Sequence, residues 1–138
     1  RFQRIDQAIA MAAMFMATNL SVQAIVALTE SGSTAQWLSR VRSSVPIFAF
    51  SPTASSRRRM AMYRDVYPVH LDSRSSDTDQ VIHDALQKLW RLGSVNAGDR
   101  VIVTMGDQTG RSGGTNTLRL IKLDSEGGSE SETRLDLG

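Results

Sequence analysis

The stretch AIVALTESGSTAQWLSRV, residues 24–41, decides the fold. It opens on an uninterrupted β-type run, Ala24 to Thr29, of the kind buried on both faces in parallel sheets. It closes on apolar residues at helical spacing. Between the two, TESGST packs hydroxyls, a carboxylate and a glycine into six positions. A surface turn needs only one or two such residues. The junction predicts a strand handing over to a helix over residues 33–43, opened by a hydroxyl cap from Ser33 or Thr34.

The same alternation continues outward. Upstream, Phe2, Ile5, Ile9, Ala12, Ala13, Met16 and Leu20 follow helical spacing. Within that helix AIAMAAMFMA, residues 8–17, is apolar around its circumference. Such a helix either meets another domain or subunit on its second side or lies in a deep groove of its own domain. The chain begins at Arg1, without methionine and directly in this pattern, as a piece of something longer would. Downstream, VPIFAFS (45–51) reads as a second buried strand and ASSRRRMAMYRDV (54–66) as a short helix. VYPVHL (66–71) is a third strand, placed at the sheet edge by Pro68. SDTDQVIHDALQKLWRLG (76–93) is the clearest helix, capped by Ser76 or Asp77, with Val81, Leu86, Leu89 and Trp90 inside and Gly93 at its end. DRVIVTMGD (99–107) and TNTLRLIKL (115–123) are the fourth and fifth strands; too little chain lies between them for a helix, so the fifth should run antiparallel at an edge.

Strands alternating with helices give an α/β class. The expected architecture is a three-layer Rossmann-like sandwich, with a five-stranded, mostly parallel sheet, an antiparallel edge strand and helices on both faces. Residues 1–123 form this domain. Residues 124–138, rich in Ser, Gly and Glu, read as a flexible tail.

Composition agrees. A chain of 138 residues with 41% hydrophobic and 22% charged residues is of ordinary globular make-up. At this size it can bury roughly 68% of its unfolded surface. A net charge of +2 does not by itself call for nucleic acid. The absence of cysteine excludes disulfides, thiolate catalysis and cysteine-ligated zinc. No signal-peptide pattern or long apolar span is present, and the default compartment is the cytoplasm.

Ligands of such sheets bind outside the carboxyl ends of the strands, where the strand order reverses. Three polar loops fall at those ends: 29–34, 51–56 and 106–115. A phosphate at the first would meet orphan N–H groups of a helix start, with Thr29, Ser31, Ser33 and Thr34 as hydroxyl donors and Gly32 allowing close approach. Glu30 would have to point away. On local pattern, a plain cap-and-turn and a phosphate cradle both stand. The loop is too short for a Walker phosphate loop, and no GxGxxG fingerprint occurs. The loop holding Gly106, Gly110, Arg111, Gly113 and Gly114 is either a flap that closes on a ligand or a disordered connection. Arg57, Arg58 and Arg59 read as a solvated helix face, and His70 and His83 as structural. The chain shows no catalytic apparatus of its own.

Taken together, AIVALTESGSTAQWLSRVRSSVPIFAFSP, YRDVYPVHLD, GDRVIVTMGD and GGTNTLRLIKL resemble the C-terminal domain of pyruvate kinase, most closely its bacterial branch. The likeness covers roughly residues 5–123. It implies a glycolytic transferase that moves phosphate from phosphoenolpyruvate to ADP. The chemistry, with its magnesium and potassium, would reside in a β/α barrel absent from this chain, which would hold no cofactor or metal itself. The domain would bind an allosteric effector and make subunit contacts in a homo-oligomer, a tetramer in the full-length enzyme. Thr29, Ser31, Gly32, Ser33 and Thr34 would grip the effector phosphate; Gly106, Asp107, Arg111, Gly113 and Gly114 would close over it. Members activated by a bisphosphate commonly carry Trp and Arg before the last long helix. This chain has Arg74 and no Trp there, which favours a monophosphate such as glucose 6-phosphate, ribose 5-phosphate or AMP. Neither nucleic acid nor membrane is implied. The alternative is a free-standing phosphate-binding or assembly module of the same fold.

Overall fold

The computed structural model describes residues 5–41, 44–72, 75–105 and 115–136, with residues 131–136 as backbone only. The elements run α1 (Ile5–Asn19), β1 (Ala24–Leu28), α2 (Ser33–Ser39), β2 (Ile47–Ser51), α3 (Ala54–Met60), β3 (Val66–His70), α4 (Thr78–Arg91), β4 (Arg100–Met105), β5 (Thr117–Leu123) and β6 (Ser129–Asp136). They build one sheet in the order β3-β2-β1-β4-β5-β6. β1 to β4 are parallel neighbours, and β5 and β6 add antiparallel. Pro68 pairs with Ala49 on edge strand β3, where a missing N–H breaks no second ladder.

Alternation along the strands divides the core in two. Ile25, Ala27, Ile47, Ala49, Ile102 and Leu118 pack against α1, α2 and Met60 of α3. Ala24, Val26, Phe50, Val101 and Val103 pack against Ile82, Ala85, Leu86 and Leu89 of α4. Three layers result, as the α/β pattern implies. Burying each such Leu, Ile or Phe stabilises the fold by about 1.5–3 kcal/mol.

Three sequence expectations need correction. The sheet has six strands, and β5 lies inside it between β4 and β6. The sixth strand comes from the stretch whose composition reads as a tail. Its backbone pairs with β5 along the strand, with one register shift at Leu120/Ile121, so the neighbour supplies the order that its own pattern lacks. The connecting turn is held locally: Asp124 Oδ1 accepts from the N–H of Glu126 and of Gly128, each at 2.8 Å. Gly127 has φ +83°, and a Cβ on it would lie 2.5 Å from Trp90 Cδ2. The side-chain amide of Gln87 donates to Gly127 O at 3.1 Å, so α4 clamps the turn. The third correction concerns α2, whose N-cap is Gly32 at φ +89°, with no side-chain capping bond. The hydroxyls expected to cap it are engaged elsewhere. α4 does begin on a side-chain cap, Asp77 Oδ1 accepting from Asp79 N at 3.0 Å.

From β1 the chain steps to β2 and β3 through α2 and α3 on one face. It then crosses by α4 on the other face and returns as β4 on the far side of β1. The strand order therefore reverses between β1 and β4, and TESGST leaves β1 at that point.

Candidate functional site

The first intrahelical bond of α2 runs from Gln36 N to Gly32 O at 3.0 Å. The N–H groups of residues 32–35 thus have no intrahelical acceptor. Thr29 Oγ1 accepts from Gly32 N at 3.0 Å, and Ser31 Oγ from Ser33 N at 3.4 Å. Among the described residues, the N–H groups of Thr34 and Ala35 remain for another acceptor. Each hydroxyl has one proton and two lone pairs, so Thr29 and Ser31, acting as acceptors within the loop, keep their protons to donate outward.

Gly32 is required twice over. Its φ is accessible to glycine at no steric cost, and a Cβ on it would meet Met60 Cγ at 2.8 Å.

The other two hydroxyls are engaged over long sequence separations. Ser33 Oγ donates to Asp6 Oδ2 at 3.0 Å, and Asp6, in the first turn of α1, is fully buried. Thr34 Oγ1 and Thr115 Oγ1 share a hydrogen bond at 2.7 Å, both residues buried. The second polar loop joins the first: Ser51 Oγ donates to Glu30 O at 3.2 Å, and Arg57 Nη1 to Ser51 O at 2.8 Å. The structure thus brings Thr29, Ser31, Gly32, Ser33 and Thr34 together with Asp6, Ser51 and Thr115. Sequence reading left Asp6 out. Its only local signal is an acidic residue among apolar ones at a helix start. Gly106, Asp107, Arg111, Gly113, Gly114 and Arg74 lie outside the described residues.

The two histidines, unconnected by spacing, meet at a cleft of about 440 Å³ between the end of β3 and α4. His70 Nδ1 lies 2.7 Å from Asp72 Oδ1, and Lys88 Nζ 3.2 Å from Asp72 Oδ2. The hydrogen bond from Lys88 holds the Asp72 carboxyl below its usual range, helped by the charges of Lys88, His70 and Arg57 against some desolvation. Among the described residues, no group of three or more His, Asp or Glu side chains could hold a metal ion, and no helix is long and apolar enough to cross a membrane.

A polar loop at a topological switch point is a property of a fold class, and comparison with known proteins narrows it. Residues 7–121 match the family model described as pyruvate kinase, alpha/beta domain. The chain belongs to the pyruvate kinase family. It is 42% identical over 125 residues to pyruvate kinase II of Salmonella typhimurium, covering 90% of this chain and 26% of that protein. It is 38% identical over 124 residues to pyruvate kinase of Buchnera aphidicola subsp. Acyrthosiphon pisum, covering 89% and 26%. With pyruvate kinase of Staphylococcus haemolyticus the identity is 39% over 119 residues, covering 86% and 20%. The chain thus spans about a fifth to a quarter of the length of these curated relatives, and it corresponds to their C-terminal α/β domain.

Proposed function

We propose that this chain is the regulatory domain of a pyruvate kinase: it binds a phosphate monoester at TESGST and makes subunit contacts, while a catalytic barrel outside the chain transfers phosphate from phosphoenolpyruvate to ADP. One observation carries the reading. At the switch point, Gly32 opens α2 in a left-handed conformation, the N–H groups of Thr34 and Ala35 lack intrahelical acceptors, and Thr29 and Ser31 have hydroxyl protons to donate. Hydrogen bonds to a charged group contribute about 1.5–3 kcal/mol each, so a few suffice for micromolar binding after association costs.

The ligand class is a sugar monophosphate or AMP, and the loop carrying Gly106, Asp107, Arg111, Gly113 and Gly114 would close over it. Magnesium and potassium would belong with the catalytic barrel. Subunit or barrel contact is supported by the outer side of α1, where Ile5, Met11 and Phe15 are exposed. The compartment of such a glycolytic enzyme is the cytoplasm.

Calorimetric titration with glucose 6-phosphate, ribose 5-phosphate, AMP and fructose 1,6-bisphosphate tests the reading. Saturable binding is expected for at least one monophosphate. Thr29→Ala and Ser31→Ala should each weaken it about tenfold, the loss of one charge-assisted bond, and Ser56→Ala should not. Equal affinity in all three variants would overturn the assignment.

A further inference from the structure

We infer that Asp6 is a built-in competitor for the ligand of the TESGST loop, making phosphate-monoester binding and the seating of the first turn of α1 mutually opposed. The inference rests on the cradle reading above.

Ser33 has one hydroxyl proton, and Asp6 Oδ2 accepts it at 3.0 Å. A phosphate oxygen bound to Ser33 would need that proton. It would also lie within about 6 Å of the Asp6 carboxylate, given ordinary hydrogen-bond lengths. The two acceptors would compete for the single Ser33 proton, and Asp6, fully buried, holds its place beside it. The carboxylate is fixed by its own chain, Oδ1 accepting from Gln7 N at 2.9 Å. A fully buried acidic side chain in the first turn of a largely apolar helix is unusual. Here it touches the loop that would receive an anion.

Linkage makes the opposition reciprocal. Whatever seats the first turn of α1 weakens phosphate binding, and bound phosphate draws Ser33 away from Asp6. Ile5, Met11 and Phe15 expose apolar surface on the same helix, so docking on α1 would bias the exchange by the same coupling.

The experiment is a double-mutant cycle on the 138-residue chain: wild type, Asp6→Asn, Ser33→Ala and the pair. Each is titrated by calorimetry with glucose 6-phosphate and with inorganic phosphate, with circular dichroism verifying the fold. Asp6→Asn should bind about tenfold tighter. Ser33→Ala should weaken binding several-fold more in the Asp6→Asn background than in wild type. Unchanged or weaker binding in Asp6→Asn, or the same Ser33→Ala penalty in both backgrounds, overturns the competition while leaving the cradle in place. No saturable binding by any folded variant overturns the cradle and the competition together. A measurement on wild type needs no variant to fold: saturating phosphate should speed hydrogen exchange at the Gln7 amide, and slower or unchanged exchange overturns the inference.

Discussion

α1 and α4 cover opposite faces of one sheet, and they differ in what they leave to the outside. α4 buries Val81, Ile82, Ala85, Leu86 and Leu89, exposes His83 and Arg91, and begins on its own Asp77 cap. It is complete within this domain. α1 buries Ile9, Ala10, Ala13, Met14 and Ala17, yet its other side exposes Ile5, Met11 and Phe15, the last at 69%. It also buries a carboxylate against the loop that follows β1. One helix only supports the sheet. The other has a second side to satisfy and a connection to the candidate site.

The sharpest test of that contrast pairs one residue from each helix. Leu89→Ala on α4 should cost about 2–5 kcal/mol in chemical denaturation, since a fully buried leucine leaves a cavity. Phe15→Gln on α1 should change stability by less than about 0.5 kcal/mol and instead reduce association, read by sedimentation. A large stability loss from Phe15→Gln would mean that α1 is as self-contained as α4.

The helix starts come next. Gly32→Ala forces a side chain into the left-handed region and against Met60. It should cost about 1–3 kcal/mol in thermal unfolding, and phosphoester affinity should fall with it. Asp77→Ala removes the α4 cap and should cost about 1 kcal/mol.

The smallest effect concerns Asp72. Its carboxyl is held below the unfolded value of 3.8, chiefly by Lys88. The stabilisation is therefore present above that value and lost as pH falls through the lowered one. Lys88→Met should lower the unfolding midpoint slightly at neutral pH, with the difference from wild type shrinking below pH 3.8.

Much of this contrast is legible in the sequence. The apolar stripe of α4 reads directly, as does the all-apolar stretch of α1, and the α4 cap reads as Ser76 or Asp77. The buried strands follow from their composition, and Pro68 marks its edge. β6 was not legible, because residues 124–138 lack an alternating apolar pattern and take their strand from backbone pairing with β5. The turn chemistry of Asp124 and Gly127 was the available signal. In the candidate site, the sequence shows a polar strand-to-helix junction but not its bonding. Composition makes Ser33 a cap or a donor; only the fold brings it to Asp6, 27 positions away. The same holds for Thr34 and Thr115, 81 positions apart.

The Asp124–Gly128 turn also bears on how the chain survives its own synthesis. Until β6 emerges, β5 presents an unpaired edge of seven residues, a template for another nascent chain. A ribosome adds about 5–20 residues per second, so the eight residues of β6 take on the order of a second. A hairpin closes in about 1–10 μs, and the bonds within this turn join residues at most four apart. Edge exposure therefore lasts only as long as β6 takes to follow β5 off the ribosome.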